Sequence, residues 1–391
     1  MDDKLAISAT GPQFALNEEQ SAVRDMARAF ADEKIAPHAI RWDEEKHFPV
    51  EVFREAAALG MASIYVREEN GGSGLSRLDA ALIFEALATG CPSTSAYLSI
   101  HNMVASMIDR FGTDTQKRDV LPQLIEAKLL SSYCLTEPSC GSDAAALRTS
   151  ARRDGGDFVL NGVKQFISGA GATDLYLVMA RTGAAGAAGI SSFLVEKGTK
   201  GLSFGANERK MGWNTQPTRQ VVMEDMRIPA ANMLGEEGIG FKIAMMGLDG
   251  GRLNIGACSL GGAQAALDKA CAYMGERQAF GKRLDEFQAL QFRLADMDIG
   301  LEAARTFLWR AAAALDATDP SATKLCAMAK KVATDTGFDV ANQALQLHGG
   351  YGYLADYGIE KIVRDLRVHQ ILEGTNEIMR LIVARSLIGR A

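Results

Sequence analysis

The first third of the chain carries apolar residues at helical spacing, separated by polar and glycine-rich stretches. Asn17 followed by Gln20 fits a capping box, and apolar residues then recur every three or four positions, at Val23, Met26, Ala27 and Phe30. The pattern predicts further helices over 79–87 and 100–110, with a loop at 71–74. This part of the chain is therefore expected to be helical.

The pattern changes near Ser131, where short segments rich in Val, Ile, Phe and Tyr begin. Strands are predicted over 175–180, 192–195 and 220–223. Phe158-Val159-Leu160 predicts another strand, and the Asn161-Gly162 pair after it predicts a tight turn. The stretch 183–189 is expected to be a flexible connector. The middle of the chain is thus predicted to be a β domain.

Helical spacing returns from Ile239 onward. Apolar residues spaced by three and four predict long helices over 284–315, 322–347 and 376–387. The order helical, β, helical predicts an α+β fold with domains at 1–131, 132–238 and 239–391.

Composition excludes several classes of protein. The 391 residues are 47% hydrophobic and 23% charged, as in a globular protein, and the net charge of −6 gives no electrostatic support for nucleic-acid binding. No apolar run is long enough to span a membrane, so no membrane insertion is expected. The six cysteines form no metal-binding pattern, so free thiols and no metal are expected. The acidic start, Met1-Asp2-Asp3, lacks a leader pattern, which predicts a cytoplasmic bacterial protein or a mature organellar form.

Two stretches of the β region are candidates for ligand binding. Tyr133 to Asp143 runs from a strand into a turn rich in hydroxyl groups, which offers polar groups to a ligand but is also compatible with an ordinary polar turn. Phe166-Ile167-Ser168 places an aromatic ring and a hydroxyl at a strand end, where they can hold a flat heteroaromatic ring or belong to the core.

Two glycine-containing stretches follow in the C-terminal region. Gly350 to Ala355 matches a loose dinucleotide fingerprint, but a helix precedes it where that motif needs a strand. His348-Gly349-Gly350 permits close approach of a phosphate or simply caps a helix.

Glu373 lies between apolar Ile371-Leu372 and Gly374. Partial desolvation there would raise the pKa of Glu373, as a general base requires, although a surface carboxylate is the commoner outcome for such a position.

Taken in order, five of these elements resemble the acyl-CoA dehydrogenase family over about residues 16–387. They are the flavin loop 133–143, the strand 166–168, the Arg-x-x-Phe-Gly element 277–281, the His-Gly-Gly turn 348–350 and the Glu-Gly-Thr element 373–375.

The resemblance implies an N-terminal helical domain, a middle β-barrel-like domain and a C-terminal four-helix bundle. It also implies FAD as cofactor, an acyl-CoA substrate, electron-transfer flavoprotein as electron acceptor, and a homo-oligomer, usually a tetramer that shares the FAD site between subunits. Glu373 would be the catalytic base. The cofactor-binding residues that it implies are Tyr133, Leu135, Thr136, Ser142, Phe166, Ile167, Ser168, Arg277, Phe280, Phe287, Gln288, Gln346, Gly349, Gly350, Thr375 and Glu377. The implied substrate-binding residues are Ser142, Asp249, Arg252, Gly374 and Arg385.

One position bears on the choice of base. Some members of the family carry the base on an earlier helix, immediately before the arginine that corresponds to Arg252. That position is Gly251 here, which cannot remove a proton, so Glu373 is the remaining candidate.

Within the family, the stretches 212–219, 256–261 and 366–377 resemble the branch that oxidises isobutyryl-CoA to methacrylyl-CoA in valine breakdown. Phe287 and Asp249 depart from that branch, which tends to carry Asn at both positions, and Cys140 is a further departure inside the flavin loop. The alternatives are a 2-methylbutyryl- or short straight-chain acyl-CoA dehydrogenase, an acyl-CoA oxidase, and a non-catalytic flavin-binding assembly protein.

Overall fold

The N-terminal part of the fold is helical, as predicted. The computed structural model describes residues 15–389, so the interpretation of Met1-Asp2-Asp3 lies outside it. The α-helices of the N-terminal part are α1 (Glu18–Phe30), α2 (Ala39–Glu45), α3 (Val50–Ala58), α4 (Arg77–Gly90), α5 (Pro92–Phe111) and α6 (Asp114–Ile125). The predicted capping box is present, because the N–H of Gln20 donates to Asn17 Oδ1 at 2.8 Å while the Gln20 side chain accepts from the Asn17 N–H.

The middle of the chain forms one eight-stranded sheet. Its strands are β1 (Ser131–Cys134), β2 (Ser150–Asp154), β3 (Asp157–Ser168), β4 (Leu175–Arg181), β5 (Ile190–Glu196), β6 (Leu202–Phe204), β7 (Thr218–Pro229) and β8 (Met233–Leu234). The strand order is β6-β7-β3-β2-β4-β5-β8, and β1 pairs in parallel with β4. The Ser132 hydroxyl donates to Ser168 O at 2.6 Å, which holds β1 beside the end of β3.

The tight turn predicted at Asn161-Gly162 is wrong. Strand β3 continues through these residues, and the pairing with β7 shifts register between Leu160 and Gly162, which is a β-bulge. A Cβ on Gly162 would lie 2.5 Å from Thr149 Oγ1, so the glycine is needed for close packing within the sheet. The hairpin turn lies at Gly155-Gly156, between β2 and β3.

The C-terminal part, as far as residue 389, contains three helices of 27 to 37 residues and two shorter ones. They are α7 (Gly240–Glu276), α8 (Gln288–Asp316), α9 (Ala322–His348), α10 (Ile359–Arg367) and α11 (Asn376–Leu387). A small hairpin of β9 (Gln278–Ala279) and β10 (Lys282–Arg283) separates α7 from α8. Helix α7 packs against α4, α5, α8 and α9, and one apolar core runs through the N- and C-terminal helices. Within residues 15–389, no helix is long and apolar enough to cross a membrane.

Candidate active site

Glu373 lies in the short segment between α10 and α11, in an unusual backbone conformation. Its φ angle is +55°, and Gly374 follows at +90°. A left-handed conformation is uncommon for a residue with a side chain, and such strain persists only where the surroundings enforce it. The segment before Glu373 forms tight turns in which Leu372 N–H donates to Val368 O at 3.0 Å.

The carboxylate of Glu373 is largely buried. The residue as a whole is half-buried, but its Oε2 is closed to solvent and has no hydrogen-bond partner among the described residues. Burial raises the pKa of Glu373 to about 7, while the positive charges of Arg252 and Lys330 oppose that rise. A carboxyl group with a pKa near neutrality and one unused oxygen is suited to accept a proton.

Two buried cations hold the backbone around Glu373. Arg252 Nε donates to Glu373 O at 3.4 Å, and Lys330 Nζ donates to Gly374 O at 2.9 Å and to Asn376 Oδ1 at 2.9 Å. Burial lowers the pKa of Lys330 to about 8. These contacts fix the carbonyl groups of Glu373 and Gly374.

The N–H of Glu373 remains available. It donates to no acceptor within the part of the chain that the structure describes. An N–H beside a general base is the kind of donor that stabilises negative charge developing on a carbonyl oxygen. The segment therefore presents a proton acceptor and an oxyanion donor from the same residue.

Gly251 of α7 lies directly against the base. A Cβ on Gly251 would be 2.6 Å from Glu373 Oε2 and 3.0 Å from Glu373 Cδ, closer than such contacts normally come. Positions 251 and 373, the two that the sequence offers for a base, therefore lie side by side in the fold. Only one of them can carry a side chain without displacing the other.

The predicted flavin loop is anchored to β3 by a buried ion pair. Lys164 Nζ donates to Glu137 Oε1 at 2.8 Å and to Leu135 O at 3.1 Å. Glu137 also accepts the backbone N–H groups of Arg148 and Thr149, and its pKa is lowered because Lys164 and these donors outweigh its burial. These contacts tie the first half of the loop to β3 and to the segment at 148–149.

The same region offers an aromatic platform and an unused hydroxyl. Phe166 has φ +59° and is 64% exposed, although Ile167 beside it is buried. Gln165 N–H donates to Thr136 O at 2.8 Å, which places the loop beside this platform. Tyr133 Oη is buried without a partner among residues 15–389, and burial together with the charge of Glu373 raises the pKa of Tyr133 well above its usual value.

A second set of predicted residues lines a cavity of about 500 Å³ at the end of α9. Arg277, Gln346, Gly349 and Gly350 lie in its wall. Gly349 has φ +59° at the end of the helix, and His348 stacks on Tyr273 with ring centroids 4.6 Å apart. The lining includes neither Glu373 nor Phe166, so this chain holds its predicted site residues in two groups.

The other predicted residues are mostly exposed. Phe280 is 97% exposed with φ +52° at the tip of the β9–β10 hairpin, 6.3 Å from the ring of Phe287. Ser142, Gln288, Glu377 and Arg385 are also exposed.

Two of the predicted residues engage the surrounding protein. Thr375 caps α11 by accepting the Ile378 N–H at 3.4 Å. Asp249 uses both carboxylate oxygens, one with Arg252 Nη1 at 2.5 Å and the other with Thr323 Oγ1 at 2.7 Å. Its bonds orient Arg252 toward the Glu373 segment.

A flavin fits the residues that the structure brings together. The exposed face of Phe166 suits a flat ring system, and the buried hydroxyl of Tyr133 lacks a partner that a polar ring atom would supply. The cavity at the end of α9 combines Arg277 with glycine backbone, which suits a diphosphate.

Three residues near the base were missed from the sequence. Lys330 falls among the buried small residues of α9, and a lysine on that apolar stripe was an available signal. Tyr65 and Arg77 contact α7 through tertiary packing alone, with Asn254 Nδ2 donating to Tyr65 Oη at 3.2 Å. Nothing in the local sequence marks these two.

Comparison with known proteins agrees with this geometry. Family models described as the N-terminal, middle and C-terminal domains of acyl-CoA dehydrogenase match residues 17–128, 132–226 and 238–388. The chain is 55% identical to mitochondrial isobutyryl-CoA dehydrogenase of Dictyostelium discoideum, covering 96% of this chain and 91% of that protein. It is 53% identical to the Bos taurus protein of the same description, covering 98% and 92%.

The fold is also similar to that of a solved structure. A chain from the structural study of "Electron transferring flavoprotein of Acidaminococcus fermentans" superposes with a TM-score of 0.94 at 40% identity, covering 96% of this chain and 100% of that one.

Proposed function

The chain belongs to the acyl-CoA dehydrogenase family, and from that membership we propose that it oxidises a short branched acyl-CoA, isobutyryl-CoA, to methacrylyl-CoA. Members of this family are oxidoreductases with a flavin cofactor, and we propose FAD as the flavin. The identity to two isobutyryl-CoA dehydrogenases over nearly the whole chain supports the choice of substrate.

The observation that carries the proposal is the state of Glu373. Its Oε2 is buried without a partner, its pKa is raised to about 7, and its backbone is held by Arg252 and Lys330. In the proposed reaction Glu373 removes the proton from the acyl α-carbon. The Glu373 N–H donates to the thioester oxygen, where negative charge develops as that proton leaves.

FAD, when bound, would accept the β-hydrogen as hydride. We propose that Phe166, Ile167 and Ser168 hold its ring system together with the loop residues Tyr133, Leu135, Thr136 and Ser142. For the adenine and diphosphate end we propose Arg277, Phe280, Phe287, Gln288, Gln346, Gly349 and Gly350, with Thr375 and Glu377 completing the set. The separation of these two groups in one chain supports a homo-oligomer, and we propose a tetramer in which subunits share the cofactor site.

Several further assignments belong to the same proposal. Arg252, Gly374 and Ser142 would contact the acyl-CoA, Asp249 would act by orienting Arg252, and Arg385 would hold the CoA part. Electron-transfer flavoprotein would be the electron acceptor, which the similarity to the Acidaminococcus chain supports. We also propose domain boundaries after residues 131 and 238 and, by analogy with the mitochondrial relatives, either an organellar location for the mature protein or a cytoplasmic one in a bacterium.

The test is anaerobic reduction of the purified flavoprotein. Addition of isobutyryl-CoA should bleach the yellow flavin absorbance, and Glu373→Gln should bind flavin but stay yellow. Glu224→Gln, which changes an exposed carboxyl group on β7, is the matched control and should bleach like the wild type.

Each other outcome has a defined meaning. Bleaching by only straight-chain or 2-methylbutyryl-CoA would overturn the substrate and leave the reaction class intact. Rapid peroxide formation in air would identify an oxidase. A Glu373→Gln protein that bleaches at the wild-type rate would show that another group is the base.

A further inference from the structure

Tyr65 and Arg77 form a stacked pair beside the catalytic base. The guanidinium carbon of Arg77 lies 3.7 Å from the centroid of the Tyr65 ring, and the Tyr65 hydroxyl is held by Asn254 of α7. Arg77 is the first residue of α4, and Asp316 of α8 accepts its backbone N–H at 2.9 Å. Helices from both ends of the chain therefore fix this pair in place.

The pair lies on the same stretch of α7 as Glu373. A Cβ on Gly250 would be 2.5 Å from Arg77 Nη1, just as a Cβ on the next residue, Gly251, would be 2.6 Å from Glu373 Oε2. Because these glycines are adjacent, the guanidinium and the carboxylate are at most about 10 Å apart. Burial raises the pKa of Tyr65 and the charge of Glu373 adds to that rise, while the charge of Arg77 opposes it.

The Arg77 guanidinium is not used for an ion pair. Within residues 15–389 no carboxylate forms a salt bridge with it, and the backbone N–H of Arg77, not its side chain, donates to Asp316. Tyr65 and Arg77 both keep partial exposure between buried helices, as Glu373 does. The two side chains and the base thus keep partial exposure beside the same turn of α7.

We propose that Tyr65 and Arg77 form the wall that limits the length of the acyl chain at Glu373. This inference rests on the proposed function, because it requires the substrate α-carbon to lie at the Glu373 carboxylate. A branched four-carbon group ends before the wall. A longer straight chain must displace the stacked pair, and with it the cation–π contact and the Asn254 hydrogen bond. The wall is a specificity device and takes no part in proton transfer.

The experiment compares kcat/KM for isobutyryl-CoA, butyryl-CoA and hexanoyl-CoA. Arg77→Ala opens the wall and should raise the ratio of kcat/KM for hexanoyl-CoA to kcat/KM for isobutyryl-CoA by roughly 10-fold. This is the scale of discrimination that one or two methylene groups give in a pocket. Tyr65→Ala opens the other half of the wall and should raise the same ratio. Arg77→Met removes the charge and the cation–π contact but keeps most of the volume that blocks the chain, so it should raise the ratio by no more than about threefold.

Arg118→Ala, at an exposed arginine of α6, is the matched control and should leave the ratio unchanged. Flavin absorbance and circular dichroism establish which variants are folded, and either alanine variant alone is sufficient for the test. Unchanged ratios in folded Arg77→Ala or Tyr65→Ala would overturn the proposal, and so would an equal rise in Arg77→Met. Wild-type bleaching by isobutyryl-CoA tests the proposed function separately, because it does not depend on the wall.

Discussion

Replacement of Glu373, the proposed base, should stabilise the folded protein by an amount that grows as pH rises from about 4.5 to about 7. The folded-state pKa of Glu373 is about 7 and its ordinary value is 4.5. The folded protein therefore binds more protons than the unfolded chain between these values, and its stability falls as pH rises through that window. One pKa unit corresponds to about 1.36 kcal/mol, so the ionised carboxylate costs about 3 kcal/mol above pH 7.

Glu373→Gln removes this cost. Urea-induced unfolding of the wild type and the variant, measured at pH 5 and pH 8, gives the change in free energy of unfolding at each pH. The stabilisation by Gln should be about 2.5 kcal/mol larger at pH 8 than at pH 5, since part of the cost is already present at pH 5. Effects of the amide that do not depend on pH cancel in this comparison.

Glu224→Gln serves as control, because its carboxyl group is exposed and should give no comparable difference between the two pH values. A stabilisation by Glu373→Gln that is equal at pH 5 and pH 8, or absent at both, would refute the reasoning that Glu373 is held as a desolvated base.

Three other predictions concern the same site and its support. The value of kcat/KM, measured as a function of pH, should rise through an apparent pKa near 7, because Glu373 must be ionised to accept a proton. Lys330→Met should move this rise to higher pH, because it removes a cation that lowers the pKa of Glu373, whereas Lys330→Arg keeps a cation and should not. Gly251→Ala should lower kcat/KM by about 100-fold with flavin still bound, because its Cβ displaces the Glu373 carboxylate; steady-state kinetics on the flavin-loaded variant checks this. Glu137→Gln should lower the free energy of unfolding by about 3 kcal/mol, measured by urea titration, because it leaves the buried ammonium of Lys164 poorly compensated.

The helices were the most predictable part of the fold. Helices predicted over 322–347 and 376–387 are found as Ala322–His348 and Asn376–Leu387. Long amphipathic periods and local caps determine such elements, and both are local in sequence.

The turn predicted at Asn161-Gly162 was wrong because contacts distant in sequence decided the backbone there. An Asn-Gly pair permits a turn, but the neighbouring strands and the contact with Thr149 made it a bulge.

Motif order pointed to Glu373 as the candidate base, because the elements that surround it in sequence belong together in one family. The sequence also showed that Gly251 cannot act as a base. What it could not show is that these two positions, more than a hundred residues apart, are in contact. That contact depends on how α7 packs beside the segment before α11.

The chemistry of the base was decided by tertiary structure. The sequence suggested partial desolvation of Glu373 from its apolar neighbours, but the pKa near 7 comes from burial by packed helices and is opposed by the charges of Arg252 and Lys330. These two cations come from other helices and also hold the backbone at Glu373 and Gly374. The Tyr65–Arg77 pair likewise exists only because α4 packs on α7. The sequence by itself predicted most of the helices and strands, the family, and Glu373 as the candidate base, because these predictions depend on local periods and motifs. The environment of that base was decided by tertiary packing, because desolvation and charge act through space.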